Sequence, residues 1–512
     1  MTSHPPLFTF HSPTFQLLNS SPEALAAALA LYRDALPPGE VTSFRVDGVD
    51  RLGIPILDAT YIPDDATHNI YGVGYGATET EALVGAYGEL CEDAFHSKAF
   101  VALGLEEGTY PELRERFGAD KVIDPVSLCL EAGTTDVDGR RLRWAPVTRY
   151  RDGVTCYCPA EFVTSYNSEL PDYPDQLTTA ITNGMGAGDT LERALLHGLC
   201  ELLQRDGNAD SFRALDQGQV IPTEELPAEV REIVEALAAK DLHVTTKLAR
   251  VTCGCASVYA VGRDTYAKEG FPLSVTACGE AADPDIATAL RKAVLECASA
   301  HTRKIFYHSP FSRKAAHAPE GYEAAQRAII DLDHEEPRAL ASMMRWLRMS
   351  REEVYAELED TVFSERTQVD PATLPSFGES GQAERLARVL EGYRAEGLEV
   401  YYFDSSPRGD AGVRTVKAIV PGIEMELGSY HRIGPRGATR LLKRGDGLVV
   451  GEPGPGRERI VLRPAAEHQL GGPVYLDTAE LDRRVATLYP LYREPSAHAA
   501  QHAIETGYVP AA

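Results

Sequence analysis

The sequence predicts an α+β fold in which mixed β-sheets are flanked by helices. Strand-like runs alternate with helical ones along the chain, the pattern of a mixed core. A glycine turn followed by an acidic helix also occurs twice in full, and its helical half occurs a third time. The first copy runs Gly74-Tyr75-Gly76-Ala77-Thr78, then Ala82-Leu83, then Glu89, Glu92 and Asp93. The second runs Gly186-Ala187-Gly188-Asp189-Thr190, then Ala194-Leu195, then Glu201, Gln204 and Arg205. The third keeps Ala289-Leu290, Glu296 and Ser299. In all three the glutamate follows the alanine by seven residues, and residues three or four apart share a helix face.

Taken in order, Ser21-Pro22-Glu23 is a helix start ahead of an alanine- and leucine-rich stretch, so a helix is expected over 14–37. Ile54 to Tyr61 is strand-like, and the first acidic helix follows, ending near Ala99. Residues 142–148 and 154–163 read as a strand pair around Tyr150 to Gly153, and a loop from Thr164 to Asn183 leads into the second copy. Alternation over 240–262 predicts further strands, and the third copy spans 277–306. Residues 319–397 are charged and helical around an apolar center that holds Met343, Met344 and Trp346. Strands return at 398–404 and 413–420; beyond Gly451 a helix near 478–489 precedes a tail expected to be mobile. The expected units are therefore 1–44 (helical), 45–318 (core), 319–397 (helical insert), 398–450 (rest of the core) and 451–512 (C-terminal extension).

The 512 residues carry a net charge of -26, which argues against non-specific nucleic-acid binding and against docking on an anionic membrane. No run of eighteen apolar residues exists, and residues 1–10 lack the features of a secretory signal. Nine cysteines, an odd count, fit reduced thiols, and a cytoplasmic location is expected. The pairs Cys156/Cys158 and Cys253/Cys255 would share strand faces and could hold zinc if adjacent, but buried apolar packing is the commoner use of such thiols.

A single Glu-x-x-Glu on a helix is usually a solvated face. Here it recurs in register with a glycine turn, beside apolar stripes such as Leu83, Val84 and Leu90, where an unpaired charge is costly. Glu89, Glu92, Glu201 and Glu296 supply ligands for more than one magnesium ion, each of which needs only one or two carboxylates when phosphate and water complete its shell. Glycine turns ahead of helix N-termini bring backbone N–H groups close to phosphate, and Arg205 and Lys292 can contact phosphate directly. No P-loop motif is present. His197 lies on the second acidic helix; a helical histidine beside an apolar stripe is more often structural than catalytic.

These stretches resemble the YcaO family: residues 74–92, 183–206 and 289–296, with a fourth match at 404–410, 412–424 and 431–434. The resemblance implies a YcaO-type ATP-binding fold with an inserted helical segment. It implies an ATP- and Mg2+-dependent enzyme acting on peptide backbone amides, most often a cyclodehydratase that closes Cys, Ser or Thr into azolines. Thioamide or amidine formation, or a nucleotide-binding scaffold without catalysis, are the alternatives. By this resemblance Glu89, Asp189, Glu201, Arg205, Lys292 and Glu296 contact nucleotide, and Glu89, Glu92, Asp189, Glu201, Gln204 and Glu296 hold metal. Asp93, Asp189, Gln204, Lys292 and Ser299 depart from the residues usual in the family. The implied partners are a ribosomally made precursor peptide, a leader-binding ThiF-like or a TfuA-like protein, and a second copy of the chain, with no nucleic acid and no membrane.

Overall fold

A computed structural model describes residues 21–64, 69–173, 176–377, 380–407 and 412–510. The expectations for residues 1–20, which include the start of the first helix, and for Arg408 to Asp410 in the fourth match lie outside the described residues.

The first helix spans Pro22–Ala35, with the Ser21 side chain accepting a hydrogen bond from the Ala24 N–H. Strand β1 (Gly39–Arg45) follows, inside the stretch read as helical, and pairs antiparallel with β2 (Ile56–Pro63). β2 pairs with β3 (Ile70–Tyr75), completing a three-stranded sheet with β3 at one edge.

A second sheet contains β4 (Glu106–Gly108), β5 (Leu142–Arg149), β6 (Thr155–Pro159), β7 (Met185–Gly188), β13 (Tyr401–Asp404) and β14 (Arg414–Ile419). Its order is β4-β5-β13-β14-β7, with β6 also paired to β5 and β7 at an edge. The third sheet contains β8 (Gln219–Ile221), β9 (Leu242–Thr252), β10 (Cys255–Asp264), β11 (Thr276–Asp283) and β12 (Thr367–Gln368). It runs β11-β10-β9-β8-β12, with β11 at an edge. Each edge strand, β3, β7 and β11, leads directly into one of the three acidic helices.

Those helices span Glu79–Val101, Leu191–Asn208 and Ile286–His308. Thr78, Thr190 and Asp285 cap them, each side chain accepting an N–H from the third helical residue. The third helix packs on the third sheet through Leu290, Ala293, Val294 and Cys297 against Leu242, Val258 and Ala260. In the helical stretch, Leu340, Met343, Met344 and Trp346 join a core with Phe212, Tyr259 and Val261. The helix Gln382–Ala395 packs on the second acidic helix, where the Tyr393 hydroxyl donates to the Leu199 carbonyl.

Two expectations need correction. The tail is ordered: a helix at Ala499–Thr506 buries Ala499, Ala500 and Ala503 in the same core as Trp346. Its apolar face is built of small residues, which carry little periodic signal. Cys253 is not on a strand face either. With φ of 49° it shares with Gly254, at 70°, the two-residue turn joining β9 to β10, a geometry that needs positive φ at both positions. Cys156 and Cys158 pack in one core and Cys253 and Cys255 in another, so the four thiols share no site. Among the described residues no helix is long and apolar enough to cross a membrane.

Candidate functional site: an acidic recess at three strand edges

The three strand–helix units share a tighter register than the sequence pattern suggested. A glycine on, or for β7 immediately before, each edge strand meets a small residue fourteen positions later on the helix: Gly72 with Ala86, Gly184 with Gly198, Gly279 with Ala293. A Cβ on Gly72 would lie 2.6 Å from the Ala86 carbonyl oxygen, and one on Gly279 2.1 Å from that of Ala293. A Cβ on Gly198 would lie 2.2 Å from the Gly184 carbonyl oxygen. The helix backbone therefore rests on the strand, and the glutamate falls one turn further on, as Glu89, Glu201 or Glu296. The third unit thus has the strand half that its sequence concealed.

The strand edges hold these carboxylates. Glu89 Oε2 accepts the Val73 N–H at 2.8 Å, and Glu201 Oε2 accepts the Gly184 N–H at 2.9 Å. The Ala187 N–H bonds Glu92. Glu296 Oε2 accepts the Tyr75 hydroxyl at 2.9 Å, tying the first unit to the third. The four acids also feel one another. Burial raises the Glu89 carboxyl to about 7, with Glu201 and Glu296 adding to the rise and the Val73 N–H and Arg303 opposing it. Burial raises Glu92 to about 8, reinforced by Glu89 and Glu201 and opposed by Lys292. Glu89 nonetheless keeps an exposed surface, and Glu92, Glu201 and Glu296 are half-buried. The four acids thus lie close together at the strand edges, on a surface that solvent reaches.

At the Glu92 end are cations. Lys292 and Arg193 stand close enough to His197 to lower it, after burial, to about 3, so this exposed histidine is neutral at physiological pH. It belongs to the recess wall and not to the core. Asp189 is exposed at the rim, near Tyr32 of the first helix together with Arg193 and Glu92.

Beneath the recess lies a buried ionic layer. Arg205 reaches Glu201 at 3.3 Å, Glu426 at 3.4 Å and Glu280 at 3.6 Å. Arg213 pairs with Glu426 at 2.7 Å and with Glu280. Asn208 Nδ2 donates to Glu280 Oε2 at 2.5 Å and Gln204 Nε2 does so at 3.4 Å. Gln204 is therefore turned toward this layer, with its amide nitrogen engaged. Asp93 accepts the Tyr166 hydroxyl at 2.8 Å, and Ser299 is buried.

Of the residues singled out from sequence, Glu89, Glu92, Glu201, Glu296 and Lys292 thus come together, Arg205 supports them from below, and Asp189 lies at the rim. Tyr75, Glu280, Arg213, Glu426 and Arg303 were missed. Two had a readable signal: Glu280 is an acid flanked by small residues in the middle of a strand, and Arg303 lies seven residues past Glu296 on the same helix face.

The set suits magnesium and a polyphosphate. Two carboxyls raised by burial and mutual repulsion are relieved by a divalent ion, and Lys292 and Arg193 form no ion pair with any described residue. Among the described residues no group of three His, Cys, Asp or Glu side chains is placed to hold a metal ion by itself. Magnesium held by one or two carboxylates with water and phosphate does not need one.

Comparison with known proteins gives the family and the fold. The family model described as YcaO cyclodehydratase, ATP- and Mg2+-binding, matches residues 73–424. An uncharacterized protein of Methanothermobacter thermautotrophicus is 28% identical over 401 residues, covering 76% of this chain and 90% of that protein. In fold, the chain is similar to YcaO from Methanopyrus kandleri bound with AMPPCP and Mg2+ (TM-score 0.52, 19% identity, 80% of this chain and 93% of that one). It is also similar to a heterocyclase in complex with substrate and cofactor (TM-score 0.57, 16% identity, 82% of this chain), of whose length it spans 55%. A strand-edge recess of acids from three helices, with the family match running through all three units, places this chain in the YcaO family of ATP- and Mg2+-binding proteins.

Proposed function

We propose that the protein activates peptide backbone amides with ATP and Mg2+, and that its reaction is the cyclodehydration of Cys, Ser or Thr to azolines in a ribosomally made peptide. The observation that carries this reading is the convergence of Glu89, Glu92, Glu201 and Glu296 from three helices on one recess, with two of the carboxyls held near neutrality. When bound, ATP and Mg2+ supply a phosphoryl group that turns the oxygen of the attacked amide into a leaving group.

The residues divide the work. Glu89, Glu92, Glu201 and Glu296 hold metal, each oriented by a backbone N–H or a neighboring side chain, and Asp189 adds a ligand at the rim. Gln204, its nitrogen turned to Glu280, offers metal only its carbonyl oxygen. Lys292 meets phosphate, and Arg205, shared by three carboxylates, fixes the position of Glu201 and the charge beneath the nucleotide. Residues 45–318 and 398–450 form the nucleotide core in this reading, 319–397 an insert, and the flanking stretches its extensions. A leader-binding ThiF-like or a TfuA-like protein is the expected partner, in the cytoplasm, with a second copy of the chain completing a homodimer. A TfuA-like partner goes with thioamide formation.

Phosphate release from ATP in the presence of the cognate peptide tests the reading, with Glu89→Gln expected to abolish it. Release that persists in Glu89→Gln contradicts the site. No release by the wild-type protein favors the non-catalytic scaffold, a reading supported by the substitutions at Asp93, Gln204, Lys292 and Ser299. Mass spectrometry of the product separates the chemistries: loss of water marks an azoline or amidine, and sulfur in place of oxygen a thioamide.

A further inference from the structure

The third acidic helix carries Lys292, Glu296, Ser299 and Arg303 at spacings of four, three and four residues, so the four lie along one face. Lys292 and Arg303 are about 16 Å apart along its axis, with Glu296 between them. Lys292 belongs to the end of the recess that holds Glu92 and His197. Arg303 belongs to the other end, among Glu89, Glu296 and Tyr75 on one side and Tyr307, Glu494 and Asp58 on the other.

Arg303 is bare. Its Nε is buried without a hydrogen-bond partner, and the guanidinium forms no hydrogen bond or ion pair with any described residue. Three other arginines near these acids are engaged, Arg205 by three carboxylates, Arg213 by Glu280 and Glu426, and Arg291 by Glu81 and Glu229, while Arg193 lies at the opposite end with Lys292. An enclosed guanidinium without partners is costly, and its fixed fork of donors matches two oxygens of a phosphoryl group.

We propose that Arg303 is the residue that holds the phosphoryl group on its acceptor side, at the end of the recess remote from Lys292. This deepens the reading above and rests on it. As the amide-derived oxyanion forms its bond to the γ-phosphorus, the bond from that phosphorus to the bridging oxygen breaks and ADP takes the electron pair. Arg303 donates to the non-bridging oxygens during this transfer. It keeps them when the carbon–oxygen bond later breaks and inorganic phosphate forms.

Calorimetric titration tests this without the peptide, using Mg2+·ADP and inorganic phosphate as probes on the wild-type protein, Arg303→Gln, Arg303→Lys and Lys292→Gln. Arg303→Gln is expected to keep the wild-type melting midpoint and to bind Mg2+·ADP within about threefold of wild type. It should weaken phosphate binding to the Mg2+·ADP-loaded protein by about tenfold or more, the loss of one charged hydrogen-bonded contact. Arg303→Lys should recover part of that loss, and Lys292→Gln should weaken Mg2+·ADP instead. The proposal is overturned if Arg303→Gln leaves phosphate binding unchanged, or if it weakens Mg2+·ADP as much as phosphate. A wild-type protein that binds no Mg2+·ADP would instead overturn the nucleotide reading itself.

Discussion

Glu89 and Glu92 carry the strongest electrostatic signature in the recess, because both are held near neutrality by burial and by other acids. A carboxyl raised in the folded state stabilizes most below its unfolded value and loses that contribution as pH rises through its folded value. Between about 4.5 and 8 these two groups therefore become progressively unfavorable in the metal-free protein. His96, His197 and His498, each lowered to about 3, act in the opposite sense between about 3 and 6.5, so the raw melting midpoint mixes both effects. The increment in midpoint produced by Mg2+ isolates the acids. It should be small at pH 5 and grow toward pH 8, and Glu92→Gln should flatten that growth; an increment independent of pH would refute metal binding at Glu89 and Glu92. Lys417 makes a second residue-scale prediction. Its buried amine donates to the Thr164 and Ile181 carbonyls at 2.5 Å each, clamping the loop that leads into β7. Lys417→Met should cost about 1–3 kcal/mol for each carbonyl left unpaired, read from denaturant midpoints. The glutamates were legible in the sequence because they recur in register. Tyr75, Arg213 and Glu426 were not, because each occurs once and acquires its role only when distant elements meet.

The strand–helix unit is what repeats, and its glycines are where it can be broken. A Cβ on Gly186 would lie 2.1 Å from the Ala194 carbonyl oxygen, and one on Gly74 1.6 Å from that of Ala82. Both contacts are to helix backbone, so no rotamer change relieves them. Gly186→Ala should push the second acidic helix off β7 and destabilize by about 1–3 kcal/mol or more. It should also weaken Mg2+·AMPPCP binding, since Glu201 moves with the helix; a variant as stable as wild type would contradict the packing. The alternation over 240–262 was legible as strands, whereas the turn at Cys253 and Gly254 within it was not, because an alternating pattern continues through a two-residue loop. β1 escaped notice for a related reason: it is an edge strand, largely exposed, without a buried alternating face.

At the scale of the whole molecule, the helical stretch and the C-terminal helix stabilize each other. Trp346 is fully buried, and its Nε1 donates to the Thr487 carbonyl at 2.5 Å. Ala499, Ala500 and Ala503 close the same core. His498 beside them links Lys314 and Tyr322, with contacts of 3.0 and 2.9 Å. Truncation after Leu491 should therefore lower the melting midpoint markedly, and Trp346→Ala should cost about 3–5 kcal/mol. The sequence announced the sheets and the three acidic helices through their periodicity. An alanine-rich terminal helix gives no such signal, since its burial depends on a partner more than 150 residues earlier. The central claim is that acids from three separate helices hold one magnesium–nucleotide site, and titration of AMPPCP by calorimetry tests it most directly. Binding should require Mg2+, and Glu89→Gln on the first helix, Glu201→Gln on the second and Glu296→Gln on the third should each weaken it by about tenfold or more. Tight binding without Mg2+, or binding indifferent to substitution on any one of the three helices, would contradict the account.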